Sequence, residues 1–259
     1  MTGRALPPTS AFAGDDGSCD PALAAALHAL AAGRGPVEDV VAALAGTRVL
    51  VPVLAELEAA DVVVHGGHEH TVDKEASAGI VALRAPDGRT ALPVFSSVAS
   101  MQAWRPDARP VPTAVARAAL SAVEERWELV VLDPGGPVTV LVPRPAVWAL
   151  AQQRDWVPAV RPAAGSGTSG PGAAGPGEEA EVDPAVRAAL RDALGHVPEV
   201  LGIDARPGRR AEVAVLLRLV PGLDRVRLDG VLARVNAALA ADETVTLRVD
   251  SLELRLLAG

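Results

Sequence analysis

The chain has 259 residues and a net charge of −8, from 32 acidic and 24 basic side chains, and 49% of its residues are hydrophobic. The apolar fraction supports a buried core, whereas the lack of a cationic segment in the sequence disfavours nucleic acid and anionic membrane surfaces as partners. The single cysteine, Cys19, excludes an internal disulfide, and no apolar run approaches the roughly 18 residues of a membrane-spanning helix, so we expect a soluble, cytoplasmic protein.

Residues 1–19 are polar and non-periodic, which predicts a disordered tail. The helix that follows has clear end signals. Asp20 supplies an N-terminal cap, Pro21 suits the first helical position, and Gly33 suits a left-handed exit. These signals predict a helix from Asp20 to about Ala32.

Hydrophobic periodicity and turn residues predict the other elements of an N-terminal domain that spans residues 20–160. Pro52 favours an edge or a bulge for the first strand, and the turn signal Asp87-Gly88 predicts a hairpin between the second and third strands. The predicted strands are Arg48–Leu54, Ile80–Leu83, Thr90–Ser96, Leu129–Leu132 and Val138–Val142. The predicted helices are Val37–Leu44, a helix capped by Ser97 that ends at Trp104, Thr113–Glu125 and Pro145–Gln153.

Residues 161–182 are rich in Gly, Pro and Ser and too weakly hydrophobic to offset the entropy of ordering, which predicts a flexible linker. Residues 183–259 predict a second, smaller domain. Its predicted elements are a helix from Asp183 to Gly195, strands Val200–Ala205 and Glu212–Val220, a helix capped by Asp224, and an alternating strand from Val245 to Leu256 with a bulge or turn at Asp250-Ser251. The predicted fold class is α+β, as two small domains joined by the linker.

Motifs for cofactor and metal binding are weak. Residues 165–170 read GxGxxG, but their flanks are linker and not the strand and helix that a dinucleotide site needs, so we predict no cofactor. His65, His68 and His70 form a ligand-rich cluster whose spacing is not that of a standard closed metal site. A solvated polar loop is the favoured interpretation, and a divalent-metal site is the alternative.

Nucleophilic catalysis has little support in the sequence. Cys19 lies in the tail without an adjacent base, and no serine occupies a strand-turn-helix elbow. His28 lies within an Ala/Leu-rich helix, where a structural or solvated histidine is the usual interpretation. We therefore do not expect an enzyme.

A cluster of basic residues surrounds the segment from Arg84 to Pro112. Its members are Lys74, Arg84, Arg89, Arg105 and Arg109. In an otherwise acidic domain these side chains are candidates for binding an acidic ligand or partner. The alternative is that they neutralise neighbouring acids such as Asp107 and stabilise helix ends.

The run GRTALPVFSSVASMQAWRPDARPVP, residues 88–112, resembles the core motif of the N-terminal domain of SseB-like proteins, in the form found in actinomycetes. RVLVPVL at 48–54, Lys74 and the block at 129–152 extend this resemblance over about residues 20–160. Residues 183–259 resemble the smaller C-terminal domain of the family more weakly. The matching positions in the run are Gly88, Arg89, Ala91, Leu92, Pro93, Phe95, Ser97, Trp104, Arg109 and Pro110.

The resemblance implies a link to an enhanced serine-sensitivity phenotype, and it supplies no catalytic residue. We therefore predict a non-enzymatic binding or regulatory protein that engages a protein partner or a small acidic metabolite. The predicted binding residues are Lys74, Arg89, Trp104, Arg105 and Arg109. The first alternative is a metal-dependent enzyme that uses His65, His68 and His70, and the second is a purely structural partner subunit.

Overall fold

The computed structural model describes residues 12–54, 79–85, 88–162 and 180–257. The chain divides into two units, Met1–Trp156 and Val157–Gly259, and both contain helices and strands. The α+β class predicted from the sequence is therefore confirmed. Within the described ranges, no helix combines the length and the apolar character needed to cross a membrane.

The first unit is built from short helices and strands that are mixed along the chain. Its helices are α1 (Pro21–Ala31), α2 (Val37–Leu44), α3 (Val98–Trp104), α4 (Val115–Glu124) and α5 (Arg144–Ala151). Its strands are β1 (Arg48–Leu54), β2 (Gly79–Ile80), β3 (Leu83–Arg84), β4 (Thr90–Val94), β5 (Arg109–Ala114), β6 (Leu129–Leu132) and β7 (Val140–Val142).

These strands form two sheets, ordered β3-β4-β6-β7 and β2-β1-β5. The β4 and β6 strands run parallel, with Val94 opposite Leu132, and the other pairs in the two sheets are antiparallel. Leu50 of β1 and Phe95 exchange two backbone hydrogen bonds of 2.9 Å, which link the sheets. Because β4 and β6 are parallel neighbours, their carboxyl ends lie side by side at one edge of the sheet.

The predicted caps of two helices and the predicted hairpin are confirmed. The Asp20 side chain accepts hydrogen bonds from the N–H groups of Ala22 and Leu23 at the start of α1, at 2.8 and 3.1 Å. The hydroxyl of Ser97 accepts a hydrogen bond from a backbone N–H at the start of α3. The antiparallel pairing of β3 with β4 confirms the hairpin, while Asp87 of its predicted turn lies outside the described residues.

Residues 109–114 differ from the prediction, in which a helix began at Thr113. They form β5, which pairs antiparallel with β1 at an edge of the sheet, and α4 begins only at Val115. The N–H of Leu50 points to Phe95 and away from β5, so its partner Pro112 belongs to a pair that exchanges no hydrogen bond. The missing N–H groups of Pro112 and, by the same alternation, Pro110 therefore face the free edge, where they block further strand pairing.

The edge or bulge predicted from Pro52 is wrong, because β1 lies between β2 and β5. Pro52 is opposite Pro110. Hydrogen-bonded and non-hydrogen-bonded pairs alternate along β1 and β5, so this pair, like Leu50 with Pro112, exchanges no backbone hydrogen bond. On the other side of β1, β2 pairs only with Val53 and Leu54. Proline is tolerated within β1 because its missing N–H faces a position with no strand partner among the described residues.

The main core of the first unit consists of aliphatic side chains from α1, α2, α4, α5 and both sheets, together with Trp127. A smaller cluster surrounds Phe95, which is fully buried and packs with Leu50, Met101 and Ala108. The ring of Trp104 lies against Phe95, with centroids 5.2 Å apart. These two aromatic residues hold α3 against the junction of the two sheets.

The second unit has its own aliphatic core and a three-stranded sheet ordered β10-β11-β12. Its strands are β8 (Val160–Pro162), β9 (Ala180–Val182), β10 (Val200–Pro207), β11 (Val213–Leu219) and β12 (Leu252–Leu257). Its helices are α6 (Pro184–Leu194), α7 (Arg225–Ala241) and α8 (Glu243–Arg248). The β10–β11 and β8–β9 pairs are antiparallel, and β12 pairs parallel with β11.

The predicted domain and linker bounds stay predictions. The two units meet in sequence at Trp156 and Val157. The two described ends of the predicted linker 161–182 belong to the paired strands β8 and β9, and residues 163–179 lie outside the described ranges. Of the predicted tail, residues 1–11 also lie outside them.

The first half of the predicted C-terminal strand is wrong, because residues 243–248 form α8. Asp242 caps this helix by accepting a hydrogen bond of 2.9 Å from the N–H of Val245. Val245 and Val249 are buried while Leu247 is 45% exposed, and this four-residue spacing is helical although the short sequence also alternates. The second half of the prediction is confirmed by β12.

Asp183 connects three parts of the second unit. Its carboxylate accepts a hydrogen bond of 3.0 Å from the N–H of Ala185 at the start of α6, and it forms ion pairs with Arg248 at 3.0 Å and Arg161 at 3.2 Å. Desolvation of the buried carboxyl acts to raise its pKa. The guanidinium groups and the N–H bond outweigh it and hold the pKa of Asp183 below the ordinary 3.8.

We expect Asp183→Asn to lower the free energy of unfolding of the second unit by about 1 to 2 kcal/mol at neutral pH, since asparagine keeps the helix cap but loses both ion pairs. The lowered folded pKa makes this contribution complete above the unfolded pKa and lost as the pH falls through the folded value. The difference in the free energy of unfolding between wild type and Asp183→Asn should therefore disappear in acid.

Far-UV circular dichroism during urea unfolding measures this difference. Tryptophan fluorescence is the internal control, because the four tryptophans all belong to the first unit. They are Trp104, Trp127, Trp148 and Trp156. A destabilisation that persists unchanged in acid would contradict the ion-pair explanation.

Candidate functional site

The most distinctive polar group of the first unit lies at the carboxyl ends of β4 and β6. Phe95 and Ser96 directly follow β4, and Asp133 directly follows β6. Because the two strands are parallel neighbours, Ser96 and Asp133 meet at the same edge of the sheet. Crevices at the carboxyl ends of parallel strands are a common place for ligands.

Asp133 is only 5% exposed, and both of its carboxylate oxygens accept hydrogen bonds from Ser96. Oδ1 accepts from the backbone N–H at 2.8 Å, and Oδ2 accepts from the hydroxyl at 2.6 Å. Asp133 has a φ of 49°, a left-handed conformation that Asp adopts more readily than most residues. Its carbonyl accepts hydrogen bonds from the Thr139 hydroxyl at 2.9 Å and the Gly136 N–H at 3.1 Å, which fix the turn.

Two further hydroxyls lie at the start of α3, beside the Asp133–Ser96 pair. The hydroxyl of Ser97 accepts a hydrogen bond of 3.1 Å from the N–H of Ser100. The Ser97 and Ser100 hydroxyl oxygens are 3.0 Å apart, and those of Ser96 and Ser100 are 3.5 Å apart. The hydroxyls of the three serines therefore form a connected cluster beside the carboxylate.

These side chains line a cavity of about 390 Å³, which we call the Asp133 cavity. Part of the lining is a face of α1 that presents residues at helical spacing, and the rest includes the three serines and the turn after β6. Its lining residues are Cys19, Ala24, Leu27, His28, Ala31, Ser96, Ser97, Ser100, Asp133, Pro137 and Val138. The cavity thus combines one buried acid and several hydroxyls with a mainly aliphatic wall.

The electrostatics of the cavity are dominated by the buried carboxyl group of Asp133. Burial raises the pKa of Asp133, and the hydrogen bonds from Ser96 only partly oppose this effect. Arg48 donates a 2.7 Å hydrogen bond to the Ser96 carbonyl, but its guanidinium forms an ion pair with Asp15 at 2.5 Å. Among the described residues, no basic side chain is ion-paired with Asp133.

Cys19 is part of this cavity and is not an isolated tail residue. Burial is the main cause that raises the pKa of its thiol, and the charge of Asp133 raises it further. A raised pKa keeps the sulfur in the weakly nucleophilic thiol form. Cys19 therefore contributes a weakly polar thiol to the cavity lining and is not an activated nucleophile.

A second cavity of about 310 Å³ lies between β1, β5 and α4. Its floor contains Val51, Leu92 and Trp127. The charged residues that line it, Arg117, Glu124 and Glu125, are exposed on α4 and at its carboxyl end. None of its described lining residues is a buried ionisable group, so it offers less chemistry than the Asp133 cavity.

The predicted binding residues that the structure describes line neither of these two cavities. Arg105 forms an exposed ion pair with Asp107 at 3.3 Å, which agrees with the neutralising interpretation. Arg109 is an exposed residue of β5, and Trp104 packs against Phe95. Arg89 is half-buried before β4 and has interactions of its own.

The other predicted site residues, Lys74, His65, His68 and His70, lie outside the described residues. Their predicted roles stay predictions. The groups that form the Asp133 cavity had not been recognised from the sequence. The sequence predicts Ser96 only as the end of a strand and assigns no site role to Asp133. A polar residue directly after each of two apolar strands was the available signal, but it becomes informative only when the strands are known to be parallel neighbours.

Comparison with known proteins gives one match. No curated protein and no solved structure matches the chain. Residues 23–149 match the family model described as the SseB protein N-terminal domain. The matched range begins in α1 and ends in α5, and it includes β4, β6 and the turn at Asp133. Residues 23–149 of the first unit are therefore similar to the SseB protein N-terminal domain.

Proposed function

We propose that this SseB-domain protein is a non-enzymatic binding protein whose first unit holds a small molecule in the Asp133 cavity. One observation carries the proposal: a buried carboxylate and three neighbouring hydroxyls converge on an open cavity with an aliphatic wall. A few convergent polar groups in a mainly apolar cavity are typical of small-molecule sites.

Binding fits the chemistry of the cavity better than catalysis. The hydroxyls of Ser97 and Ser100 are engaged with each other and with the start of α3, and burial keeps the Cys19 thiol protonated. A nucleophile in an enzyme instead has a lowered pKa or an adjacent base. The regulatory role, the link to serine sensitivity and the cytoplasmic location remain part of the proposal, as does an actinomycete origin.

The second unit is proposed to correspond to the C-terminal domain of the SseB family. Its fold of helices around a three-stranded sheet is compatible with a small independent module. The metal-dependent alternative depends on His65, His68 and His70, and no described contact supports it. A protein partner or acidic metabolite at Arg89, Arg105 and Arg109 remains a separate prediction.

The proposal is tested with a substitution that fills the cavity. Ala24→Phe places a ring in the α1 wall, whereas Ala25→Phe makes the same change at an exposed neighbouring position that does not line the cavity. Each protein is incubated with the ultrafiltrate of a cell extract and washed, and the retained small molecules are identified by mass spectrometry. We expect wild type and Ala25→Phe to retain the same compound, and Ala24→Phe to retain no more than a protein-free control.

Both variants must first show the wild-type unfolding midpoint in tryptophan fluorescence. With that control met, equal retention by Ala24→Phe and Ala25→Phe would place binding outside the cavity and overturn the proposal. Retention that disappears with Arg89→Ala instead would support the surface predicted from the sequence.

A further inference from the structure

The Asp133 cavity has a charge and shape that select among small molecules. On the basis of the proposed function, we infer that its ligand carries a primary ammonium group on a short aliphatic body, with the ammonium against the Asp133 carboxylate. The inference deepens the proposed function, because it names the chemical class of the ligand.

The charge argument begins with the buried acid. A buried carboxylate is costly unless hydrogen bonds and a positive charge compensate it. Asp133 has the hydrogen bonds from Ser96 but, among the described residues, no paired cation. Each carboxylate oxygen can accept more than one hydrogen bond, so both retain acceptor capacity. An ammonium group has three donors and a full positive charge, and it would supply what Asp133 lacks.

The neighbouring hydroxyls fit the same group. The hydroxyls of Ser97 and Ser100 lie next to each other at 3.0 Å and line the cavity with Asp133. Their oxygens can accept the remaining ammonium hydrogens, which the carboxylate alone does not use. An anionic group, by contrast, would meet the carboxylate, and His28 is the one basic side chain among the described lining residues.

The aliphatic wall defines the rest of the ligand. Leu27 and Ala31 of α1 and Pro137 and Val138 after β6 supply apolar lining. A short branched carbon chain buries apolar area against such a wall without leaving polar groups unpaired. A long polar or sugar-like body would lose its hydrogen bonds to water there.

The test uses three probes of nearly equal size: isopentylammonium, isopentyl alcohol and isovalerate. Binding to the full chain is measured by NMR chemical-shift titration at neutral pH. We expect isopentylammonium to bind at least about tenfold more tightly than the alcohol, and isovalerate to be weakest, because only the ammonium makes charge-assisted hydrogen bonds. Asp133→Asn keeps the shape and an acceptor for Ser96 but removes the charge, so it should abolish the preference for the ammonium.

The pH dependence provides a second measurement. The affinity for isopentylammonium should rise as the pH rises through the titration of Asp133, since the ionised carboxylate is the binding form. His28 and Cys19 also face the cavity. A positive charge on His28 would repel the ammonium, which would also make the affinity higher at higher pH. The rise should therefore persist in His28→Gln and disappear in Asp133→Asn.

The outcomes separate the two proposals. If the alcohol or isovalerate binds as tightly as the ammonium, and Ala24→Phe removes that binding, the cavity is a binding site but the ammonium inference is overturned. If no probe binds and extract molecules are also retained equally by Ala24→Phe and Ala25→Phe, both proposals fail. A preference for the ammonium that survives in Asp133→Asn also overturns the inference.

Discussion

Replacing Phe95 with alanine is expected to lower the free energy of unfolding of the first unit by about 4 kcal/mol, within the range typical of a buried phenylalanine. Phe95 is fully buried, and its backbone forms the bridge to Leu50 that links the two sheets. Its ring packs against Trp104 and Met101. Its neighbours Leu50 and Met101 are held by β1 and α3 in a close-packed interior, so they cannot move far enough to fill the cavity left by the ring.

Urea unfolding followed by tryptophan fluorescence measures this loss, because fluorescence reports on the first unit. Two substitutions serve as controls. Phe95→Leu should cost less because it leaves a smaller cavity, and Leu120→Ala, at a position 47% exposed, should have little effect. A Phe95→Ala protein that loses less than about 1 kcal/mol would show that the Phe95 cluster does not hold α3 to the sheets.

The sequence predicted those elements whose signals are local. Asp20, Ser97 and Asp224 cap helices as predicted, because a cap depends only on a side chain and the backbone two or three residues away. The strands flanking Gly88 pair as predicted for the same reason. The hydrophobic pattern of Val245 and Leu247 misled the prediction because six residues are too few to separate a helical period from alternation.

Features set by distant partners could not be predicted in the same way. Residues 109–114 contain two prolines and look unsuited to a strand, yet β1 pairs with them because both prolines turn their missing N–H groups away from it. The Asp133 cavity depends on a parallel pairing between β4 and β6, whose residues lie more than thirty positions apart. Local sequence contains Ser96 and Asp133 but does not show that they meet.

Asp133→Ala should make the first unit about 3 kcal/mol less stable than Asp133→Asn. Alanine leaves the buried N–H of Ser96 without its acceptor, which costs about 1 to 3 kcal/mol, and it is poorly suited to the φ of 49°. Asparagine adopts this conformation readily, accepts from the Ser96 N–H, and donates to the Ser96 hydroxyl. The difference between the two variants therefore measures the structural role of the side chain without its charge.

The comparison of Asp133→Asn with wild type then measures the role of the charge. The raised folded pKa of Asp133 means that its protonated form contributes stability that is complete below the unfolded pKa and lost as the pH rises through the folded value. At neutral pH the buried charge costs stability that asparagine does not. We expect Asp133→Asn to equal or exceed wild type at neutral pH, and wild type to gain relative to it in acid.

Fluorescence-monitored urea unfolding at several pH values distinguishes the possibilities. If Asp133→Asn is as unstable as Asp133→Ala, the carboxylate itself holds the turn after β6 to Ser96. The negative charge then has a structural role. If Asp133→Asn matches or exceeds wild type at neutral pH, the hydrogen bonds suffice for the fold and the negative charge adds nothing to it. A charge that lowers stability but lies in an open cavity is explained by a role in binding a cation. The stability measurement and the ammonium titration therefore test the same role of Asp133.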